Sequence, residues 1–201
     1  MISAALILIV STVAISLVAF RKPELLDRLM LHPDQVYYDR KWYQMLTCGF
    51  VHGSMGHLGL NMLSFFFFAF PLERYLGPIG LTVLYLTSIV LANISTVLQH
   101  KDNQEYASLG ASGGVSAVVF SFILFEPGTK LYLMFIPIGI PAIVYAVGFV
   151  AYSYFSGNRQ TGINHKAHLW GALSGILLTV LLSAQIRAEL FGGISTLGSH
   201  Q

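Results

Sequence analysis

Ser112, His168, His57 and Asn61 are the residues of this sequence whose types and spacing suit chemistry, and each sits among glycines. The stretch Gly110-Ala111-Ser112-Gly113-Gly114 places a serine at the head of an apolar run that ends at Glu126-Pro127-Gly128. Glycine lets the backbone turn sharply and leaves room for another group to approach, so a serine there can expose its hydroxyl. In His52-Gly53-Ser54-Met55-Gly56-His57-Leu58-Gly59-Leu60-Asn61, the residues His57 and Asn61 are four apart and share a helix face. A third stretch, Asn164-His165-Lys166-Ala167-His168-Leu169-Trp170-Gly171, continues to Gly175, and His168, Gly171 and Gly175 lie on one stripe. A serine is a weak nucleophile until a base takes its proton, which a neutral imidazole can do near physiological pH. His168 fits that role, and with no acidic residue near either motif the arrangement reads as a dyad. Attack on a carbonyl creates an oxyanion that needs preorganised donors. The Ser112 backbone N–H, the Asn61 amide and a His57 ring nitrogen can supply them.

The elements that must position these groups are apolar. Of 201 residues, 55% are hydrophobic and only 10% charged, too few polar groups to cover a soluble globular fold. The composition is that of a membrane protein. A net charge of +2 gives no basis for nucleic-acid binding, and the lone cysteine, Cys48, excludes an intramolecular disulfide framework and reads as a small apolar filler. The first apolar run, Ile2 to Phe20, lacks a basic leader, and Arg21-Lys22 stands where a small-residue cleavage site would be, so it reads as a retained span.

Apolar windows place helices at 2–20, 57–76, 79–99, 112–126, 130–155 and 167–187, predicting one six-span helical domain over 1–201 with a flexible tail from about 188. The fourth is short: from Ser112 it has about 15 residues, or about 22 Å, against a hydrocarbon core of about 30 Å. Its Ser112 end therefore stops inside the membrane, which is tolerated only where protein buries it or water reaches it. The connection from Arg21 to Gly56 carries most of the charge and Tyr37, Tyr38, Trp42, Tyr43 and Phe50, and reads as folded and interfacial, with a short helix around Leu25-Leu26-Leu29-Met30. Glu73 and Arg74 read as a surface pair ending the second span, and Asn93 and Ser95 as helix-to-helix hydrogen bonds. Pro137-Ile138-Gly139-Ile140-Pro141 should kink the fifth helix. Because antiparallel spans alternate in direction, the entrances of spans two, four and six open on one side, and His57, Asn61, Ser112 and His168 all lie there.

In the combination of His52-x4-His57-x3-Asn61, Gly110-x-Ser112-Gly113 and Ala167-His168-x2-Gly171-x3-Gly175, the sequence resembles the rhomboid family of intramembrane serine proteases. The resemblance implies a six-transmembrane-helix bundle with a membrane-embedded first loop, a Ser112–His168 dyad, and an oxyanion hole from His57, Asn61 and the Ser112 backbone. It implies support from His52, Gly110, Gly113, Gly171 and Gly175, a packing motif at Glu73-x3-Gly77, and a fifth span that gates the site. Transmembrane proteins would be the substrates and no cofactor or metal would be needed. Several positions depart from the pattern. Trp42-Tyr43 stands where many members have Trp-Arg, removing the usual ion-pair anchor of the first loop. Ala117 replaces the last glycine of the longer serine motif. Ser116 replaces a tyrosine that in some members stacks on the catalytic histidine, so other contacts must orient His168.

Two other readings compete. A metal site or transporter using His52, His57, His165 and His168 leaves Gly110 to Gly114 unexplained. A catalytically inactive rhomboid relative that binds membrane proteins is opposed by the intact Ser112 and His168. Charge also bears on sidedness. Arg21, Lys22, Arg28, Arg40, Lys41, Lys101, Arg159 and Lys166 lie on the side of the site entrances, against Arg74, Lys130 and Arg187 on the other, and the positive-inside rule then puts those entrances in the cytoplasm. The resemblance implies the reverse, a bacterial inner membrane with the site opening to the extracytoplasmic side. That reading is preferred because five of those cations share an embedded loop with Glu24, Asp27, Asp34 and Asp39.

Overall fold

The computed structural model describes residues 3–132, 139–156 and 164–197. Helix α1 (Ala4–Ala19) is followed by three short helices of the first connection, α2 (Pro23–Leu29), α3 (Pro33–Tyr37) and α4 (Gln44–Thr47), and a 3-10 turn at Cys48–Phe50. Next come α5 (Met55–His100) and α6 (Ser112–Phe125), a hairpin of β1 (Lys130–Tyr132) and β2 (Gly139–Pro141), then α7 (Ala142–Ser156), α8 (His165–Leu182) and α9 (Ala184–Leu197).

The second and third windows form one continuous hydrogen-bonded element, α5, broken at Gly77. Gly77 has φ 71°, a conformation open to glycine at little cost, and Pro78 follows it without an N–H to donate. The arms 55–76 and 78–100 fold back on each other, which brings Phe65 and Tyr85 to a ring separation of 4.6 Å. Helices α5 and α8 are long and apolar enough to cross a membrane, while Ala4–Ala19, Ser112–Phe125 and Ala142–Ser153 are shorter apolar helices. Helix length and composition alone thus support a mostly helical fold rather than six separate spans.

Three other expectations are corrected. The helix expected over 130–155 starts only at Ala142, because residues 130–132 and 139–141 pair as antiparallel strands with Lys130 opposite Pro141. Proline lacks the N–H an interior helical turn requires, so Pro141 ends the strand and α7 begins just after it; Pro137 and Ile138 lie outside the described residues. The sixth window divides at Ser183, and residues 184–197, part of the expected tail, form α9. Ser95 bonds its own helix at Ala92 rather than a neighbour, while Asn93 does reach another element: its amide donates to the Met45 carbonyl of α4 and the Cys48 sulfur, both at 3.0 Å.

The first connection is folded. Leu31, Val36, Met45, Cys48 and Val97 form a small core in which burial pushes the Cys48 thiol up to about 12, leaving it an inert filler. The buried Gln44 ties this connection together. Its Oε1 accepts from the His32 N–H at 3.1 Å, and its amide donates to Gln35 Oε1, which also accepts from Lys41 Nζ at 3.0 Å. This core grips the chain ahead of Ser112. Leu31 and Ser108 exchange two backbone hydrogen bonds, and the Gly110 N–H donates to the Cys48 carbonyl at 2.9 Å.

Glu73 is not a surface partner of Arg74. Its carboxylate accepts the Ala4 N–H at 2.8 Å, the Ala5 N–H at 3.1 Å and the Ser3 hydroxyl, satisfying donors that open the N-terminus of α1. Removing it with Glu73→Ala should lower stability by about 1 to 2 kcal/mol, read as a lower thermal midpoint in detergent. An unchanged midpoint would mean that α1 does not depend on this carboxylate.

Helices α6 and α8 run parallel with their backbones in contact. A Cβ on Gly171 would lie 2.2 Å from the Gly113 carbonyl oxygen, and one on Gly175 would lie 2.3 Å from that of Ala117. One turn further, Ser121 and Thr179 bond through their hydroxyls at 2.5 Å. Residues 113, 117 and 121 thus match 171, 175 and 179 along one seam, and Ala117 fits it without a glycine. The obstacle at both glycines is backbone, which cannot swing aside. Gly171→Val and Gly175→Val should each force α8 away from α6 and lower the thermal midpoint, and any activity of Ser112 that depends on His168 should fall with it, since a displacement of about 1 Å can cost on the order of 10²-fold. Gly59→Ala, with no atom within 4 Å of its added Cβ, should leave the thermal midpoint unchanged or raised. Normal activity in both valine variants would detach the seam from the site.

Candidate active site

Ser112 is the first residue of α6, His168 lies in the first turn of α8, and His57 and Asn61 lie in the first two turns of α5. The four gather at one end of the bundle. Local caps fix each helix start. Ser54 accepts the His57 N–H at 3.1 Å, and Asn164 accepts the Ala167 N–H at 3.0 Å. Asn164 also donates to Thr96 of α5 at 2.9 Å, which holds the head of α8 against the second arm. That role was not among the expectations from sequence, although an asparagine three residues ahead of the helix's first stable turn is a capping signal.

His168 Nε2 lies 2.7 Å from Ser112 Oγ. Both residues are half-buried and face a cavity of about 1640 Å³ that is also lined by His57, Asn61, Tyr145 and Phe149. The bond joins residues 56 apart in sequence, and the α6–α8 seam sets its length. On the opposite wall, the His57 ring lies over Gly110. A Cβ there would meet ring carbon Cε1 at 2.5 Å, and Gly110 has φ 114°, so glycine is required on both counts. The Asn61 side-chain amide donates to the His57 carbonyl at 3.0 Å, one turn back on its own helix.

His52 stands apart from this group. Fully buried in the loop ahead of α5, it packs edge-on to His57 with ring centroids 5.0 Å apart. Burial, with the nearby His57, pushes its imidazole down to about 4, so it is neutral and carries one ring proton. Ser16 of α1 donates its hydroxyl proton to the Phe50 carbonyl at 2.9 Å, and its oxygen, 2.9 Å from His52 Nδ1, is left to accept. The proton therefore sits on Nδ1, and Nε2 accepts the Ala111 N–H at 3.4 Å. Through this chain α1 braces the residue that precedes Ser112.

Of the residues singled out by sequence, Ser112, His168, His57 and Asn61 meet at the cavity, Gly110, Gly113, Gly171 and Gly175 make room for them, and His52 supports from behind. The four histidines of the metal alternative do not converge as ligands: among the described residues no three His, Cys, Asp or Glu side chains cluster to hold an ion. Ser116 is buried at the cavity wall and offers His168 no ring. Among the described residues an aromatic ring comes instead from Phe149 of α7, nearly parallel to His168 at 6.3 Å, which no motif or spacing in the sequence connects to the histidine.

Residues 39–185 match the Rhomboid domain family. The chain is 27% identical to RHOMBOID-like protein 12, mitochondrial, of Arabidopsis thaliana over 76% of its own length and 50% of the relative's. It is 30% identical to the rhomboid protein YdcA of Bacillus subtilis over 70% of this chain and 67% of that one. With Rhomboid-like protein 11, chloroplastic, of Arabidopsis thaliana it shares 29% over 71% and 53%. The chain thus spans about half the length of the two plant relatives. These relatives include a mitochondrial, a chloroplastic and a bacterial protein, so they do not support the finer expectation of a bacterial inner membrane. The match over 39–185, with the arrangement around Ser112, makes this chain an integral membrane protein of the rhomboid family.

Proposed function

We propose that this chain is an intramembrane serine endopeptidase that cleaves peptide bonds in or near transmembrane segments of other membrane proteins. The observation that carries the reading is the 2.7 Å contact between His168 Nε2 and Ser112 Oγ at the polar mouth of a 14-residue helix. At 1.5 Å per residue that helix spans about 21 Å, so the hydroxyl sits below the rim of a bilayer whose core is about 30 Å. The cavity gives water a route to it.

In the reaction, Ser112 Oγ attacks the scissile carbonyl carbon while His168 Nε2 takes its proton. The carbonyl oxygen becomes an oxyanion held by the Ser112 backbone N–H, the Asn61 amide and His57. The Asn61 amide must turn from the His57 carbonyl to reach it. Collapse breaks the C–N bond, and His168 returns its proton to the leaving amine. Water, deprotonated by His168, then hydrolyses the Ser112 ester and restores the hydroxyl. No cofactor enters this cycle.

In this reading the whole chain is one domain with six spans: α1, the two arms of α5, α6, α7 and α8. The first connection is embedded, and the site opens to the extracytoplasmic side. Substrate enters between the first arm of α5, where Leu60, Leu63 and Phe67 are exposed, and α7, which packs on α8, α6 and the hairpin. An inactive relative that only binds membrane proteins is the alternative, and it needs no hydrogen bond between Ser112 and His168.

A fluorophosphonate probe should label Ser112 in the folded, detergent-purified protein, and His168→Ala should suppress the labelling. Mass spectrometry locates the adduct, with Ser116 as the internal control. Absence of an adduct, while a known active rhomboid labels in the same detergent, would remove the protease assignment. Separately, Asn61→Ala should lower turnover of a membrane-protein substrate by about 10² to 10³ without loss of fold. Equal turnover would take Asn61 out of the oxyanion site.

A further inference from the structure

Helix α7 carries Tyr145, Phe149 and Tyr152 at spacings of four and three, on one face. Two of these rings meet the two histidines of the first turn of α8. Tyr152 stands edge-on to His165, with centroids 5.2 Å apart at 84°, while Phe149 lies nearly parallel to His168, 6.3 Å away at 16°. Phe149 is itself braced by Phe120 of α6 at 5.3 Å and by Tyr145 at 5.9 Å, so its plane is fixed from two sides. Rings at such separations prefer particular mutual orientations. His165 also meets His168 edge-on at 6.4 Å, and position 116 on α6 is a serine, which offers no ring.

We propose that Phe149 is a positioning residue for His168, holding the imidazole plane so that Nε2 faces Ser112 Oγ. This rests on the serine endopeptidase reading above. Because Phe149 belongs to α7, alignment of the dyad depends on where α7 sits. That helix packs chiefly on α8, with smaller contacts to α6 and the hairpin, and many of its residues are exposed. Its outward movement carries the Phe149 ring away and frees the imidazole to rotate about its side-chain torsions. The base is then fully aligned only with α7 docked, and admission of a substrate segment and readiness of the base become two states of one helix.

The test compares rates of Ser112 labelling by a small water-borne fluorophosphonate, which needs no lateral opening for a polypeptide. Wild type, Phe149→Leu, Phe149→Tyr and Tyr152→Leu are purified in detergent and checked by thermal midpoint. Phe149→Leu fills much of the volume without a ring and should label about tenfold or more slowly, since small misplacements of a catalytic group are costly. Phe149→Tyr restores a ring and should recover most of the rate, and Tyr152→Leu, which removes an α7 ring that faces His165 and leaves Phe149 beside His168, should label close to wild type. Phe149→Met replaces the leucine variant if that one loses its fold. Labelling of the leucine or methionine variant at the wild-type rate would overturn the proposal while leaving the protease reading intact. So would equal slowing by Tyr152→Leu, which would assign the effect to docking of α7. A wild-type protein that does not label overturns both.

Discussion

Everything at the Ser112 end depends on backbone-to-backbone contact between α6 and α8. In a bilayer the apolar effect does not drive helices together, because lipid tails are as apolar as leucine, so close packing and interhelical hydrogen bonds decide which helices touch. At Gly171 against Gly113, and at Gly175 against Ala117, there is no space for one more carbon. The Ser121–Thr179 bond pins the same seam one turn deeper. Two rigid helices in register leave the relative height and rotation of their first residues little freedom. The distance between Ser112 and His168 is a consequence of that register rather than of local loop structure.

The remaining supports act on the segment that delivers the chain to Ser112. The first connection pairs Leu31 with Ser108 and Cys48 with Gly110, and His52 carries the linkage from Ser16 of α1 to Ala111. A single-proton histidine suits this place because it can donate at one nitrogen and accept at the other without placing a charge in a buried site. Glu73, far from the chemistry, holds the other end of α1. The helix that braces Ala111 is therefore fixed at both its termini, and the site is framed on one side by α1 and the first connection and on the other by α8.

Residue types and spacing made the polar groups legible, because a serine at a glycine-rich turn, a histidine on a small-residue stripe and a His-x3-Asn face are local patterns with local physical meaning. The helical windows were readable for the same reason, with misses where a tertiary choice overrode composition. Residues 130–132 and 139–141 fall in one apolar window with the helix that follows, yet pair as strands, and proline at 141 cannot continue an interior turn. Glu73 looked like a surface charge since nothing in its neighbourhood announces a helix N-terminus 69 residues earlier. The hydrogen bonds among Gln35, Gln44 and Lys41 were hidden because amides carry no pattern of their own. Phe149 was invisible as a neighbour of His168, because an aromatic on an apolar helix is ordinary and only the docking of α7 gives it a face to meet.

The shortness of α6 also bears on how the membrane stays sealed. A water-bearing cavity that reaches into the bilayer is half of a leak, and what lies beneath it decides whether ions can follow. Below Ser112 every residue of α6 from Gly113 to Ile123 is buried, and most are Val, Phe, Ala or Ile. The two hydroxyls deepest in the seam satisfy each other, since Thr179 donates to the Gly175 carbonyl and its oxygen can accept the Ser121 proton. No lone polar atom on that seam offers a hydrating water or a hopping proton its next step. The packing that sets the geometry of Ser112 and His168 therefore also leaves the α6–α8 seam itself without a polar path along it.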